Sequence, residues 1–179
     1  LPEKKDLDYQ GMYIGVDLAI SEKKAADYTA MVMAYIYGSG KKTQIYILPQ
    51  IVNQKMNFPD TVKMCKDIYS SYHSSDTMPN FVIEEVAYQS ALSQQLRNEG
   101  LPCIHSFKPG SGDKRSRLAI TANYIKEGKI LFPENGCEKL LDQLVNFGVE
   151  KHDDLADAFS TLILHYINNP PRIPRIRFL

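Results

Sequence analysis

The sequence has little cysteine: Cys65, Cys103 and Cys137 stand far apart, with no C-x-x-C pair among them. That spacing excludes a thiolate zinc site and a disulfide framework, and it reads as buried thiols in a reducing compartment. Charge of one sign is also lacking, since 21 Lys and Arg balance 21 Asp and Glu. Overall charge therefore points to neither nucleic acid nor membrane, and an anionic partner has to be held by local patches. No apolar run approaches the ~18 residues of a membrane span, and no signal peptide is visible. Internal repeats and low-complexity segments are missing too. So is a G-x-x-x-x-G-K-[ST] loop: "GSGKK" at 38–42 lacks the first glycine at the required distance and reads as a hairpin turn.

What is present suits one domain. A chain of 179 residues with 44% hydrophobic side chains can bury a sizeable core. "MYIGVDLAI" (12–20) alternates, with Met12, Ile14, Val16 and Leu18 on one face and Tyr13, Gly15 and Asp17 on the other. "YTAMVMAYIY" (28–37) and "TQIYILPQIV" (43–52) read as two more strands of an antiparallel meander. The period then changes: Val62, Cys65, Ile68, Tyr69 and Tyr72 fall at helical spacing. A strand is expected at 80–84, a helix at 89–98, a strand at 102–107 and a helix at 114–127, followed by the extended "KILFP". Residues 136–147 carry Leu140, Leu141, Leu144 and Val145 on one stripe, and a last helix runs from about Asp153 to Ile167, before the prolines of "NNPPRIPRIRFL". The order predicts an α/β domain with a mixed central sheet, an antiparallel three-strand meander plus parallel strands, flanked by helices. The boundaries expected are a linker over 1–10, a domain over 11–168 and a Pro/Arg-rich tail over 169–179.

Acid stands where packing alone would not put it. Asp17 interrupts the first strand beside Gly15, and Phe81, Val82 and Ile83 run straight into Glu84 and Glu85. "KHDDLADAF" opens the last helix with Asp153, Asp154 and Asp157, while Leu155, Phe159, Leu162 and Tyr166 lie opposite at about 100° per residue. Taken singly, a strand-end Glu pair reads as a solvated edge, and acids in a first turn favour the helix dipole. Together they say more. If the first and fourth strands are neighbours, Asp17 and Glu84 lie side by side and the last helix can lay its acids over them. Two unit charges about 4 Å apart repel by about 4 kcal/mol at an effective dielectric near 20. Several such carboxylates need a cation, and Mg²⁺ or Mn²⁺ suits oxygen ligands. Two ions about 3.5–4 Å apart would clamp a phosphodiester for attack by water.

"YIGVDLAIS", "FVIEEVAYQSAL" and "KHDDLADAF", in this order and spacing, resemble the C-terminal nuclease domain of tailed-phage terminase large subunits, in the ribonuclease H-like superfamily. The resemblance spans about Met12 to Ile167 and includes "KPGSGDKRSRLAITANYIKEGKILFP" between the second and third acidic motifs. It implies a metal-dependent endonuclease, with catalytic metal ligands carried over as Asp17, Glu84, Asp154 and Asp157, and Glu85 and Asp153 as weaker candidates. The choice between Asp154 and Asp157 stays open, and His152 reads as a bystander. It further implies two Mg²⁺ or Mn²⁺ ions, double-stranded DNA as substrate, and the host-cell cytoplasm. An ATPase motor in the same full-length protein, the portal and the small terminase subunit would be partners. On that resemblance, Leu1–Gln10 is the remnant of the connection to the motor.

A neutral DNA-cutting protein needs local positive charge. Lys108, Lys114, Arg115 and Arg117, set against Asp113 on a segment loosened by Gly110 and Gly112, are the expected DNA contacts. Arg172, Arg175 and Arg177 add charge in the tail. No base-reading motif is seen, so cleavage should show little sequence preference. Competing readings are a Holliday-junction resolvase of the same fold and a catalytically inactive ribonuclease H-like interaction module. An actin-like ATPase would need a second phosphate-binding repeat, which is not there.

Overall fold

The structure, a computed structural model, describes residues 1–2, 8–18, 28–85, 89–108, 113–148 and 153–170. His152, Gly110, Gly112, Arg172, Arg175 and Arg177 lie outside them. The sheet is built on β1 (Tyr9–Asp17), β2 (Thr29–Tyr37), β3 (Gln44–Ile47) and β4 (Val52–Gln54). After α1 (Phe58–Tyr72) come β5 (Pro79–Glu84), α2 (Gln89–Asn98) and β6 (Ile104–Phe107). The chain closes with α3 (Lys114–Lys126), β7 (Ile130–Leu131), α4 (Glu138–Val145) and α5 (Asp154–Asn168).

Strand order is β6-β5-β1-β2-β3-β7, with β4 also paired to β2. β1, β2 and β3 form the antiparallel meander, β5 and β6 run parallel to β1, and β7 runs parallel to β3. The expected mixed sheet is thus the one observed. The stretch read as a single strand over 43–52 is two: Leu48 and Pro49 interrupt it, and the chain rejoins β2 further along as β4. Proline has no amide hydrogen to give a ladder, so a break there is expected physically. "KILFP" contributes a paired strand, β7, against β3.

Alternation along β1 sorts its side chains as read. Met12, Ile14, Val16 and Leu18 join one core with Phe81, Ile83 and the apolar faces of α1 and α2. The other face is covered by α5. Gly15 is where that helix crosses: a methyl group there would meet the Ala158 carbonyl oxygen at 2.0 Å. The space beside Asp17 is therefore taken by helix backbone.

Two helix readings need correction. α5 does not divide into an acidic face and a core face, because every residue from Leu155 to Tyr166 is buried, Asp157 included. The helix lies between the sheet and α3 and α4, so its polar residues are enclosed as well. In α4, Leu140 and Gln143 point inward, whereas Leu141 and Val145 are exposed. The inward face was displaced toward Gln143 because that polar side chain has a buried task, described below.

Candidate active site

The register pairs Val16 with Ile83, so Asp17 and Glu84 are the next residues at the carboxyl ends of two adjacent parallel strands. Crevices beyond strand ends are where open α/β sheets place ligands. The first turn of α5 brings Asp154 and Asp157 to the same place. The electrostatic consequence is plain at Asp17, whose pKa is pushed up to about 8, first by burial and then by the charges of Asp157, Asp154 and Glu84, with Lys114 opposing them. Asp157 is also raised, by burial, against the pull of Lys114.

The basic segment faces inward on these acids. Lys114, at the head of α3, donates to Asp157 Oδ2 at 2.5 Å and lies 3.4 Å from Asp153. Arg117, one turn on, donates to Glu84 Oε1 at 3.1 Å, and both partners are largely enclosed, 12% and 15% exposed. Lys108 reaches Glu85 at 3.5 Å on the surface. Arg115 is exposed and packs against Gly148. Asp113 caps α3 by accepting from the Ser116 amide. The sequence asked for a cation beside these acids, and among the described residues Arg117 brings positive charge to Glu84.

Among the described residues, no three His, Cys, Asp or Glu side chains stand in metal-holding geometry. Lys114 and Arg117 take up carboxylate oxygens that an ion would use. The donor set is nonetheless wholly carboxylate, which fits a hard divalent cation such as Mg²⁺ or Mn²⁺.

Two buried glutamines belong to this site and were not singled out in the sequence. Gln89 opens α2, is 1% exposed, and its Nε2 lies 3.4 Å from Asp17 Oδ1. Its Oε1 is buried with no hydrogen-bond partner among the described residues. The signal was available: Gln89, Leu92, Ser93 and Leu96 are the buried positions of α2, spaced i, i+3, i+4 and i+7, so a glutamine stands on the inward stripe. Gln143 is the second, with its Oε1 accepting from the Leu155 and Ala156 amides.

A mixed sheet whose central parallel strands end in acids beneath an acid-headed helix defines a ribonuclease H-like domain. Residues 14–166 match the terminase RNase H-like domain family, and the chain belongs to that family. Its fold is similar to the large terminase nuclease of thermophilic phage G20c, a crystal structure with bound zinc: 17% identity, TM-score 0.60, covering 90% of this chain and 83% of that one. It is similar also to the large terminase nuclease domain of bacteriophage SPP1 with bound Mn, at 16% identity and TM-score 0.56, covering 87% and 86%. The fowlpox virus Holliday junction resolvase shares the fold at 15% identity and TM-score 0.50, covering 88% and 97%. No curated protein sequence matches.

Proposed function

We propose that this domain is a divalent-metal-dependent endodeoxyribonuclease that cuts concatemeric double-stranded phage DNA during genome packaging, with little sequence preference. The observation that carries the reading is the placing of Glu84, Asp154 and Asp157 around a buried Asp17, whose pKa is pushed up to about 8 first by that burial and then by their charges. Those four would hold two Mg²⁺ or Mn²⁺ ions, with Asp153 and Glu85 at the margin. Such ions, when bound, polarise the scissile phosphate and supply hydroxide near neutral pH.

The chain's own residues do the rest. Asp17 would be held as the carboxylate where a bound cation took the place of Lys114 as its counter-charge. Lys114 and Arg117, once freed from Asp157 and Glu84, would meet phosphate oxygens, and the planar guanidinium of Arg117 suits two-point contact. Lys108 and Arg115 extend the positive surface from the same segment. In the full-length protein an ATPase motor would deliver the DNA, with the portal and small terminase subunit as further partners.

Plasmid cleavage with Mn²⁺, Mg²⁺ or EDTA, beside Asp17→Asn, tests this. Metal-dependent nicking and linearisation, lost in the variant, is the expected result. No cutting by a folded wild-type domain, or equal cutting by the variant, would overturn it. The likeness to a junction resolvase gives a second reading, which preference for four-way junctions over linear duplex would favour.

A further inference from the structure

Helix α5 carries the third group of acids, and its start is held in an unusual way. Asp153 occupies the cap position, yet its side chain makes no capping hydrogen bond. An N-cap side chain ordinarily serves the amides two and three residues on. Here those amides, Leu155 and Ala156, are served from another helix: Gln143 Oε1 accepts from them at 2.8 Å and 3.3 Å. Gln143 is 7% exposed, in a helix whose other buried residue is Leu140. The Asp153 carboxylate is left to face Lys114, and Asp154 acts on Asp17.

We propose that Gln143 is a positioning residue for the acidic site, an external cap that spares Asp153 from capping and sets the first turn of α5. The proposal rests on the metal-nuclease reading for its catalytic consequence, while the cap itself does not depend on it. Without the Gln143 oxygen, two buried amides lose their acceptor, and Asp153, already at the cap position, is the acid that can turn back to take them. That movement would draw the first turn away from Asp17 and Glu84. A glutamate at 143 keeps an acceptor oxygen and adds a charge that suits a helix N-terminus.

The test compares wild type, Gln143→Met and Gln143→Glu by three readouts. The first is Leu155 and Ala156 amide exchange in EDTA, the second Mn²⁺ affinity by calorimetry, the third plasmid nicking at saturating metal. Gln143→Met should speed exchange of both amides by roughly tenfold. It should weaken Mn²⁺ by about tenfold or more, as loss of a ligand-orienting partner does. It should lower kcat with little change in KM for DNA, and Gln143→Glu should recover all three. If Gln143→Met does not fold, Gln143→Asn, which draws the oxygen back by one methylene, serves in its place. Wild-type Mn²⁺ affinity and kcat in a folded variant would overturn the positioning role, leaving Gln143 a packing residue. Rapid exchange of both amides in wild type would overturn the cap. A wild-type domain that binds no Mn²⁺, with both amides protected only while Gln143 is present, would defeat the nuclease reading and leave the cap standing.

Discussion

Gly15 and Ala158 meet so closely that a Cβ on the glycine would stand 2.0 Å from the alanine's carbonyl oxygen and 2.8 Å from Leu162 Cβ. This contact seats α5 on β1 and thereby sets how near Asp157 comes to Asp17, two residues along the strand. Gly15→Ala forces helix and sheet apart. It should lower stability by about 1–3 kcal/mol or more, as overpacking does, and should weaken Mn²⁺ binding in the molecules that remain folded. Chemical denaturation with and without Mn²⁺ checks both parts. An unchanged Mn²⁺ affinity would show that the helix seat does not govern the acids.

Above about pH 4 and without metal, Asp17 should lower the stability of the fold. Its folded pKa of about 8 lies above the ordinary carboxyl value of 3.8. Between these values the folded state holds a proton that the unfolded state has released. Stability therefore falls as pH rises from about 4 to about 8, by about 1.4 kcal/mol per unit. Asp17→Asn has no such proton to lose. In EDTA at pH 8.5 the variant should be the more stable protein, by roughly 3–5 kcal/mol, with the gap closing near pH 5. Its nuclease activity should be absent. Urea titrations at the two pH values decide, and a variant less stable than wild type at pH 8.5 would refute the assignment.

Much of this site was legible, and what was missed has physical reasons. Alternation in "MYIGVDLAI" placed Asp17 on the face opposite Val16, and the apolar run Phe81–Ile83 located Glu84 at a strand end. That their two strands are adjacent stood only as a condition in the sequence, and the parallel register supplies it. Period alone could not show that α5 is enclosed all round, because Ser160, Thr161 and His165 are polar by type and are buried by tertiary packing, His165 against the Tyr13 and His105 rings of the sheet. Nor could it show that Lys114 and Arg117 turn toward the acids: a basic stretch read along the chain looks like a surface for phosphate. Gln89 and Gln143 were hidden for another reason. A glutamine on an inward helical stripe marks a buried polar partner, but which partner depends on contacts 72 and 12 residues away in sequence.

His165 should make the fold acid-sensitive away from the site. Its imidazole is buried near the His105 and Tyr13 rings, at centroid distances of 5.1 and 6.3 Å. Burial, and then His105, pushes its pKa down to about 4. His105 is lowered too, by burial and Arg97, and its Nε2 lies 3.0 Å from Asn80 Oδ1. A base with a depressed folded pKa is held neutral, while the unfolded state takes up a proton below about 6.5. Stability is then fully present above about pH 6.5 and is lost as pH falls toward 4, by roughly 3 kcal/mol for this residue. Asp17 acts in the opposite sense over this range, so the difference between proteins is the readout: in urea titrations from pH 7 to pH 4, His165→Phe should gain roughly 3 kcal/mol relative to wild type. An unchanged slope would place the acid sensitivity elsewhere.

Arg117 and Lys114 should separate structural from DNA-binding roles when metal is varied. Arg117→Ala leaves Glu84 largely enclosed without its partner, at a cost of up to about 3–5 kcal/mol, the figure for breaking a fully buried pair. Lys114 is half exposed, so Lys114→Ala should cost less, although Asp157 is buried and close to Asp17. In EDTA both variants should melt below wild type, Arg117→Ala the lower. Saturating Mn²⁺ should recover most of the loss, since a divalent ion supplies the missing positive charge. DNA affinity should not recover with it: each lost phosphate contact lowers the salt slope by about 0.9. Melting curves with and without Mn²⁺, and DNA binding across a salt series, read the two effects separately. If Mn²⁺ restores neither variant's stability, the two cations are not holding the place of metal. If the salt slope is unchanged, DNA passes the acids by another route.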